Sequence, residues 1–111
     1  MITCKENVRL KELSSELLHI FNVLYSLNQE KIPNYPIDWL ITSMNDSKHK
    51  VGSKHYLNKA LDLRSKSFSS TIIKNEFRDR LEYALGEDYT VFIEDIDTLN
   101  EHFHIQLRKG L

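Results

Sequence analysis

Apolar side chains recur at three- and four-residue steps along the first part of the chain, as on one face of a helix: Leu10, Leu13, Leu17, Phe21 and Leu24. This spacing predicts an amphipathic helix over residues 5–28. Pro33 and Pro36 cannot continue that helix, because proline lacks a backbone N–H and pushes its predecessor out of the helical region. A loop is therefore expected after the helix.

Four later segments have the composition or the alternation of β-strands. They are Trp39–Ser43, 59–63, Tyr89–Glu94 and His102–Leu107. The polar stretch 44–54 between the first two reads as a long surface loop. The last two segments are separated by a turn region at 95–100, so they are expected to pair as a hairpin.

A second helical stripe lies between the middle strands and consists of Ile73, Phe77, Leu81 and Leu85. Ser69 or Ser70 can cap its start, and Gly86 can end it. The order helix, strand, loop, strand, helix, hairpin predicts an α+β fold: one small domain over residues 1–111, with a mainly antiparallel sheet and two main helices.

Composition narrows the classes of function. The 111 residues are 41% apolar and 28% charged, with a formal net charge of −1. A chain with this net charge is not expected to carry the basic patch that nucleic-acid binding requires. A membrane-spanning helix needs about 20 consecutive apolar residues, and no segment is that long. We therefore expect neither nucleic-acid binding nor membrane insertion, and we expect a monomer.

The N-terminal residues show no apolar core of a secretory signal, which predicts synthesis in the cytoplasm. Cys4 is the only cysteine, so a metal site would have to be built from histidines and carboxylates.

Histidines and an aspartate carry the candidate chemistry. His102 and His104 share one face of the last strand, while its apolar residues point the other way. Solvated histidines on an exposed face are one interpretation. The other interpretation is a metal site that also includes His55 and Asp62. Two imidazoles, one carboxylate and a water form the open site that is typical of catalytic zinc. Asn58 suits the turn that His55 and Asp62 need to converge.

Two motifs resemble the zinc peptidases that cleave D-alanyl-D-alanine and L-alanyl-D-glutamate bonds, the group that includes the hedgehog signalling domain. Residues 53–64, SKHYLNKALDLR, are similar to the signature Ser-x-His-x-x-Gly-x-Ala-x-Asp, and residues 100–105, NEHFHI, are similar to the closing His-x-His strand. The resemblance implies a hedgehog/DD-peptidase-like fold. It also implies one zinc ion held by His55, Asp62 and His104.

The resemblance further implies a carboxylate as general base. Glu94, at the end of a strand, matches the hedgehog-like branch, whereas Glu101 matches members with a Glu-x-x-His motif; the sequence leaves both open. His49 resembles a loop histidine that faces the metal site, and His102 is a candidate for stabilising the oxyanion. For His49 the alternative is an exposed loop histidine without a role in the site. For His102 the alternative is a histidine with a structural role.

Two residues are candidates for holding the substrate. Arg64 shares the face of Asp62 and can bind a carboxylate bidentately, although a surface salt bridge is the alternative. Ser53, which opens the first motif, is the other candidate.

The function that the resemblance implies is hydrolysis of an amide bond in the peptidoglycan stem peptide, by a phage lytic enzyme acting at the cell wall or by a virion-associated one. The chain departs from the family's pattern at two places. Asn58 replaces the usual glycine, and an arginine that some members place after the first strand is missing from residues 43–46. The alternative is an inactive metal-stabilised binding module or a structural virion component of the same fold.

Overall fold

The chain forms two helices and five strands within the residues that a computed structural model describes, which are 2–4, 15–35, 39–43 and 60–108. In chain order the elements are β1 (Ile2–Cys4), α1 (Ser15–Gln29), β2 (Trp39–Ser43), β3 (Ala60–Arg64), α2 (Thr71–Leu85), β4 (Tyr89–Glu94) and β5 (His102–Leu107). No helix in these ranges is long and apolar enough to cross a membrane.

The strands form one sheet in the order β1-β2-β3-β5-β4. β1 runs parallel to β2, and the other three pairings are antiparallel. β5 therefore lies in the interior of the sheet, hydrogen-bonded to β3 on one side and to β4 on the other. The predicted hairpin of the last two strands is confirmed.

One face of the sheet is apolar because side chains alternate along each strand. Leu61, Leu63, Phe103 and Ile105 are fully buried on this face and belong to a single core cluster. Both helices contribute their apolar stripes to the same cluster: Leu17, Ile20, Leu24, Leu27, Phe77, Leu81 and Leu85. The helices thus cover one face of the sheet, and the polar residues of β3 and β5 lie on the other.

Aromatic rings fill the centre of the core around Phe77. Its ring centroid lies 4.7 Å from that of Phe68, 5.0 Å from Phe103 and 5.3 Å from Trp39. These tilted and edge-on arrangements are the favoured ones for aromatic pairs. They tie α2 to β2 and β5, and so fix the strand that carries the histidines.

The predicted α+β class, with a mainly antiparallel sheet and two helices, is confirmed. β4 and β5 have the predicted bounds, whereas β3 begins and ends one residue later than predicted. α1 is observed over Ser15–Gln29, and its predicted beginning falls in 5–14, outside the described residues. β1 was missed, because three residues before a charged stretch give no periodicity to detect.

α2 begins and ends at the predicted signals. The Ser70 hydroxyl accepts a hydrogen bond from the Ile73 backbone N–H at 3.2 Å, so Ser70, and not Ser69, is the N-cap. At the other end Gly86 adopts φ 101°, a region that side-chain-bearing residues rarely enter, and its N–H donates to the Glu82 carbonyl.

We predict that Ser70→Ala lowers the free energy of unfolding by about 1 kcal/mol, because it leaves an N-terminal backbone donor of α2 without its partner. Urea unfolding followed by circular dichroism measures this. Ser69→Ala is the matched control and should change stability by less than about 0.5 kcal/mol. Equal losses in both variants would contradict the assignment of the cap.

Candidate metal centre

Strand register brings the candidate site together on the polar face of the sheet. Across the β3–β5 pairing, Asp62 lies opposite His104 and Arg64 lies opposite His102. Across the β4–β5 hairpin, Glu94 lies opposite His102. Directly opposed residues on one face have Cβ atoms about 5 Å apart, so the side chains of these strands meet.

Asp62, Glu94 and His104 form the core of this site. The His104 Nδ1 lies 2.9 Å from Asp62 Oδ1 and 3.7 Å from Glu94 Oε1. One ligand atom from each of the three residues lies within 4.8 Å of the other two, so the cluster could hold a metal ion. His104 is 8% exposed and Asp62 is partly buried, whereas the Glu94 side chain is 47% exposed. The cluster is thus anchored in the sheet and open to solvent on the Glu94 side.

Gln106 supports His104 from the opposite edge of its ring. The Gln106 Oε1 lies 2.6 Å from His104 Nε2, so an N–H at Nε2 donates to that oxygen. This contact leaves Nδ1 as the nitrogen that faces the two carboxylates. Metal-bound histidines characteristically donate their second ring N–H in this way, which fixes the tautomer and the ring orientation.

The pKa of His104 reflects the same contacts. Burial alone lowers it, but the hydrogen bonds to Asp62 and Gln106 and the nearby carboxylate charges outweigh burial, so the pKa is raised. The contacts of Nδ1 with Asp62 and of Nε2 with Gln106 therefore favour the protonated form of His104 more than solvent does. Phe92, the cross-strand partner of His104, stacks on its ring at a centroid distance of 6.4 Å and covers that side.

His102 lies beside the cluster. Its Nδ1–H donates to the Asn100 carbonyl at 2.5 Å, which directs Nε2 to Glu94 Oε1 at 3.1 Å and Asp62 Oδ2 at 3.7 Å. Burial lowers its pKa, but the Asn100 hydrogen bond and the two carboxylates outweigh that effect, so the pKa is raised. His102 is therefore suited to share a proton with Glu94.

Glu101 is buried and belongs to a separate polar network. Its Oε1 accepts hydrogen bonds from the Ser65 hydroxyl at 2.7 Å and from Lys74 Nζ at 2.5 Å, and its Oε2 accepts one from the Asp97 N–H at 3.0 Å. The Asp97 N–H, above all, and the Lys74 ammonium lower the pKa of Glu101 to about 2. A carboxylate with three donors and so low a pKa is a weak proton acceptor, and it joins β5 to α2.

Of the remaining site residues predicted from the sequence, only Arg64 lies within the described residues. Arg64 is exposed at the end of β3, next to a cleft that Asp62 and His102 also line. His49, Ser53 and His55 lie outside the described residues, so their proposed roles stay predictions. The structure brings together Asp62, Glu94, His102 and His104.

Sequence reasoning missed two contributors. Gln106 continues the alternation of His102 and His104, so the period-two pattern alone places it on the same face. Lys74 offers no such signal, because it lies on α2 and reaches Glu101 only through the packing of that helix on the sheet.

Neither a protein-family model, nor a curated protein, nor a solved structure matches this chain. The resemblance to zinc peptidases therefore rests on the two motifs themselves.

We predict that Glu101→Gln lowers the free energy of unfolding at pH 7 by on the order of 1–3 kcal/mol, because it leaves Lys74 without its counter-charge. The folded-state pKa of Glu101 is depressed from 4.5 to about 2. Its contribution is thus fully present above pH 4.5 and is lost as the pH falls toward 2. Urea unfolding at a series of pH values should show the two proteins converge in acid, whereas the exposed Glu87→Gln should match the parent throughout.

We also predict that Gln106→Leu weakens binding of a divalent transition-metal ion by about 10–100-fold, because the tautomer of His104 is no longer fixed. Isothermal titration calorimetry with Zn²⁺ measures the affinity. Gln29→Leu, at the exposed end of α1, is the control for the loss of an amide. An unchanged affinity in a folded Gln106→Leu protein would contradict the supporting role.

Proposed function

We propose that this chain is a zinc-dependent peptidase that hydrolyses an amide bond of the peptidoglycan stem peptide, of the D-Ala-D-Ala or L-Ala-D-Glu type. The observation that carries the proposal is the contact of Asp62 with His104 beside Glu94. These are the residues that the resemblance assigns to metal binding and to catalysis, and they converge from three strands.

The donor set suits zinc. Imidazole nitrogen and carboxylate oxygen are both common ligands of Zn²⁺, and His104 has the second hydrogen-bond partner that such ligands use. We assign His55, Asp62 and His104 as the ligands, with His55 taken from the first motif. A zinc ion held by them would supply Lewis-acid polarisation of the substrate carbonyl and would make a water molecule easier to deprotonate.

Glu94 is the general base that we favour over Glu101. Its Oε1 lies close to His104 and His102, and half of its side chain is open to solvent, so it can reach a water at the cluster. There it takes a proton from the attacking water and returns it to the nitrogen of the leaving amine. Glu101 is held by Ser65 and Lys74, and we assign it a structural role.

His102 assists Glu94. Because its Nδ1–H is engaged by the Asn100 carbonyl, only Nε2 is directed at the cluster. A proton on Nε2 holds Glu94 Oε1 in place and provides a positive charge near an oxyanion that forms at the substrate carbonyl.

A second candidate is a metal-stabilised binding module that does not turn over substrate. The missing arginine in residues 43–46 favours it, because a substrate anchor of some family members is absent. The peptidase and the binding module both require the metal cluster. They differ only in whether the chain hydrolyses a substrate.

The test is to incubate the chain, loaded with one equivalent of zinc, with purified peptidoglycan and to analyse the muropeptides by mass spectrometry. Hydrolysis of one stem-peptide amide is the expected result, and the products identify the bond. Intact stem peptides in the presence of stoichiometrically bound zinc would rule out the peptidase and favour the binding module.

We predict that Glu94→Gln lowers the rate of hydrolysis by about 10²–10⁴-fold while leaving one zinc bound per chain, because it removes the proton acceptor. Product formation and elemental analysis measure the two quantities. Loss of zinc from this variant would make Glu94 a ligand instead. Glu101→Gln should keep its rate per folded molecule, and a comparable loss there would assign the base to Glu101.

A further inference from the structure

β4 forms one edge of the five-stranded sheet, and its sequence would make an open edge prone to pair with another chain. It lies at the end of the strand order, and β5 is its neighbour on one side. Its sequence is YTVFIE, in which every residue but the last is aromatic or β-branched. Segments with high β propensity and little charge pair readily with a strand of another molecule when their edge is open.

The β4–β5 pairing decides which backbone groups of β4 face away from the sheet. Just before β4, the Asp88 carbonyl accepts a hydrogen bond from the Arg108 N–H at 2.8 Å, so residue 88 faces β5. In an antiparallel pair every second residue bonds the partner strand, and the residues between them direct their N–H and C=O groups outward. The outward-facing residues of β4 are therefore Tyr89, Val91 and Ile93.

Two side chains of α2 bind the backbone of Val91, in the middle of this edge. The Val91 N–H donates to Glu82 Oε2 at 2.9 Å, and the Val91 carbonyl accepts from Arg78 Nη1 at 3.4 Å. The Thr90 hydroxyl donates to the same Glu82 oxygen at 3.2 Å. Arg78 and Glu82 are four residues apart on one face of α2, with Nη1 3.9 Å from Oε2. Together they form the Arg78–Glu82 clamp.

The clamp offers Val91 the same groups that an added strand would offer. An incoming strand would present a carbonyl to the Val91 N–H and an N–H to the Val91 carbonyl. Glu82 supplies the acceptor and Arg78 the donor, and their charges make these hydrogen bonds stronger than those between neutral backbone groups. A strand of another molecule must therefore displace two charge-assisted hydrogen bonds before it can pair at Val91.

The outward-facing residues on either side of Val91 differ from each other. The Tyr89 N–H is occupied, because it donates to the Gly86 carbonyl at 3.2 Å. The outward N–H and carbonyl of Ile93 form no hydrogen bond within the residues that the structure describes. One open residue gives an incoming strand few hydrogen bonds, so pairing along this edge requires Val91 as well.

We propose that the Arg78–Glu82 clamp prevents β4 from pairing with β4 of a second copy of this chain. Two identical strands can pair antiparallel about a two-fold axis, which would join the two sheets into one. With the axis at Val91, that residue would exchange both backbone hydrogen bonds with its counterpart in the other copy. The inference does not rest on the proposed function, since neither residue of the clamp belongs to the metal cluster.

Sedimentation velocity of the full chain over a range of concentrations tests the proposal. The Arg78→Ala/Glu82→Ala variant is compared with the unmodified chain and with Glu76→Ala/Arg80→Ala as the matched control. Glu76 and Arg80 form an ion pair of the same spacing on the same helix, and Glu76 lies against Tyr35 instead of β4. Alanine favours helix, so α2 should persist in both variants.

We expect the clamp variant to self-associate with a constant about tenfold or more above those of the unmodified chain and the control, because an incoming strand no longer displaces two hydrogen bonds. Its Ile93 amide should become more protected from hydrogen exchange as the concentration rises. Equal association of the clamp variant and the unmodified chain, including monomers in both, would overturn the proposal. So would an equal rise in the control, or association without protection of Ile93.

Amide hydrogen exchange followed by NMR tests the clamp in the unmodified chain. The Val91 amide should exchange about tenfold or more slowly than the Ile93 amide, although both face outward. Glu82→Ala should remove most of this difference, whereas Glu82→Gln should keep most of it, because an amide oxygen still accepts from the Val91 N–H. Equal exchange of the two amides in the unmodified chain would contradict the clamp, even if the alanine variants fail to fold.

Discussion

The pairing of β3 with β5 is the constraint on which the candidate site depends. It sets Asp62 opposite His104 on one face while Leu61, Leu63, Phe103 and Ile105 are buried on the other. A shift of one residue would move the apolar side chains of a strand to the polar face and its polar side chains into the core. The hydrophobic free energy of burial therefore holds the register, and the register holds the ligand atoms near each other.

Much of this geometry follows from the alternation of polar and apolar residues. His102 and His104 were predicted to share the face opposite the core, and the strand bounds of β4 and β5 were predicted correctly, because these segments are strictly patterned. The pattern could not give the contact of Asp62 with His104, since that depends on which strand lies next to β5. The family resemblance supplied the pairing of those two residues as an expectation, and the sheet order gives it a structural basis.

Glu101 illustrates what strand patterning cannot decide. It precedes His104 by three residues, as in one form of the family motif, yet the turn before β5 directs it to Ser65 and Lys74. Asp95 and Asp97 in that turn have positive φ angles, 53° and 63°, which aspartate tolerates better than most residues. The backbone of this turn aims the Asp97 N–H at Glu101, so a local conformation that strand patterning does not reveal binds this carboxylate into the network with Ser65 and Lys74.

The carboxylates of this site favour a proton on the neighbouring histidines, and the same carboxylates could hold a metal ion. Asp62 and Glu94 bring two carboxylates close together, and the raised pKa values of His102 and His104 show that the folded chain favours positive charge between them. That protonation stabilises the fold below the ordinary histidine pKa of about 6.5, and the contribution is lost as the pH rises through the raised values. Above those raised values the imidazoles are neutral. The carboxylates that favour a proton on His104 in the metal-free protein are thus the same groups that could hold a metal ion together with it.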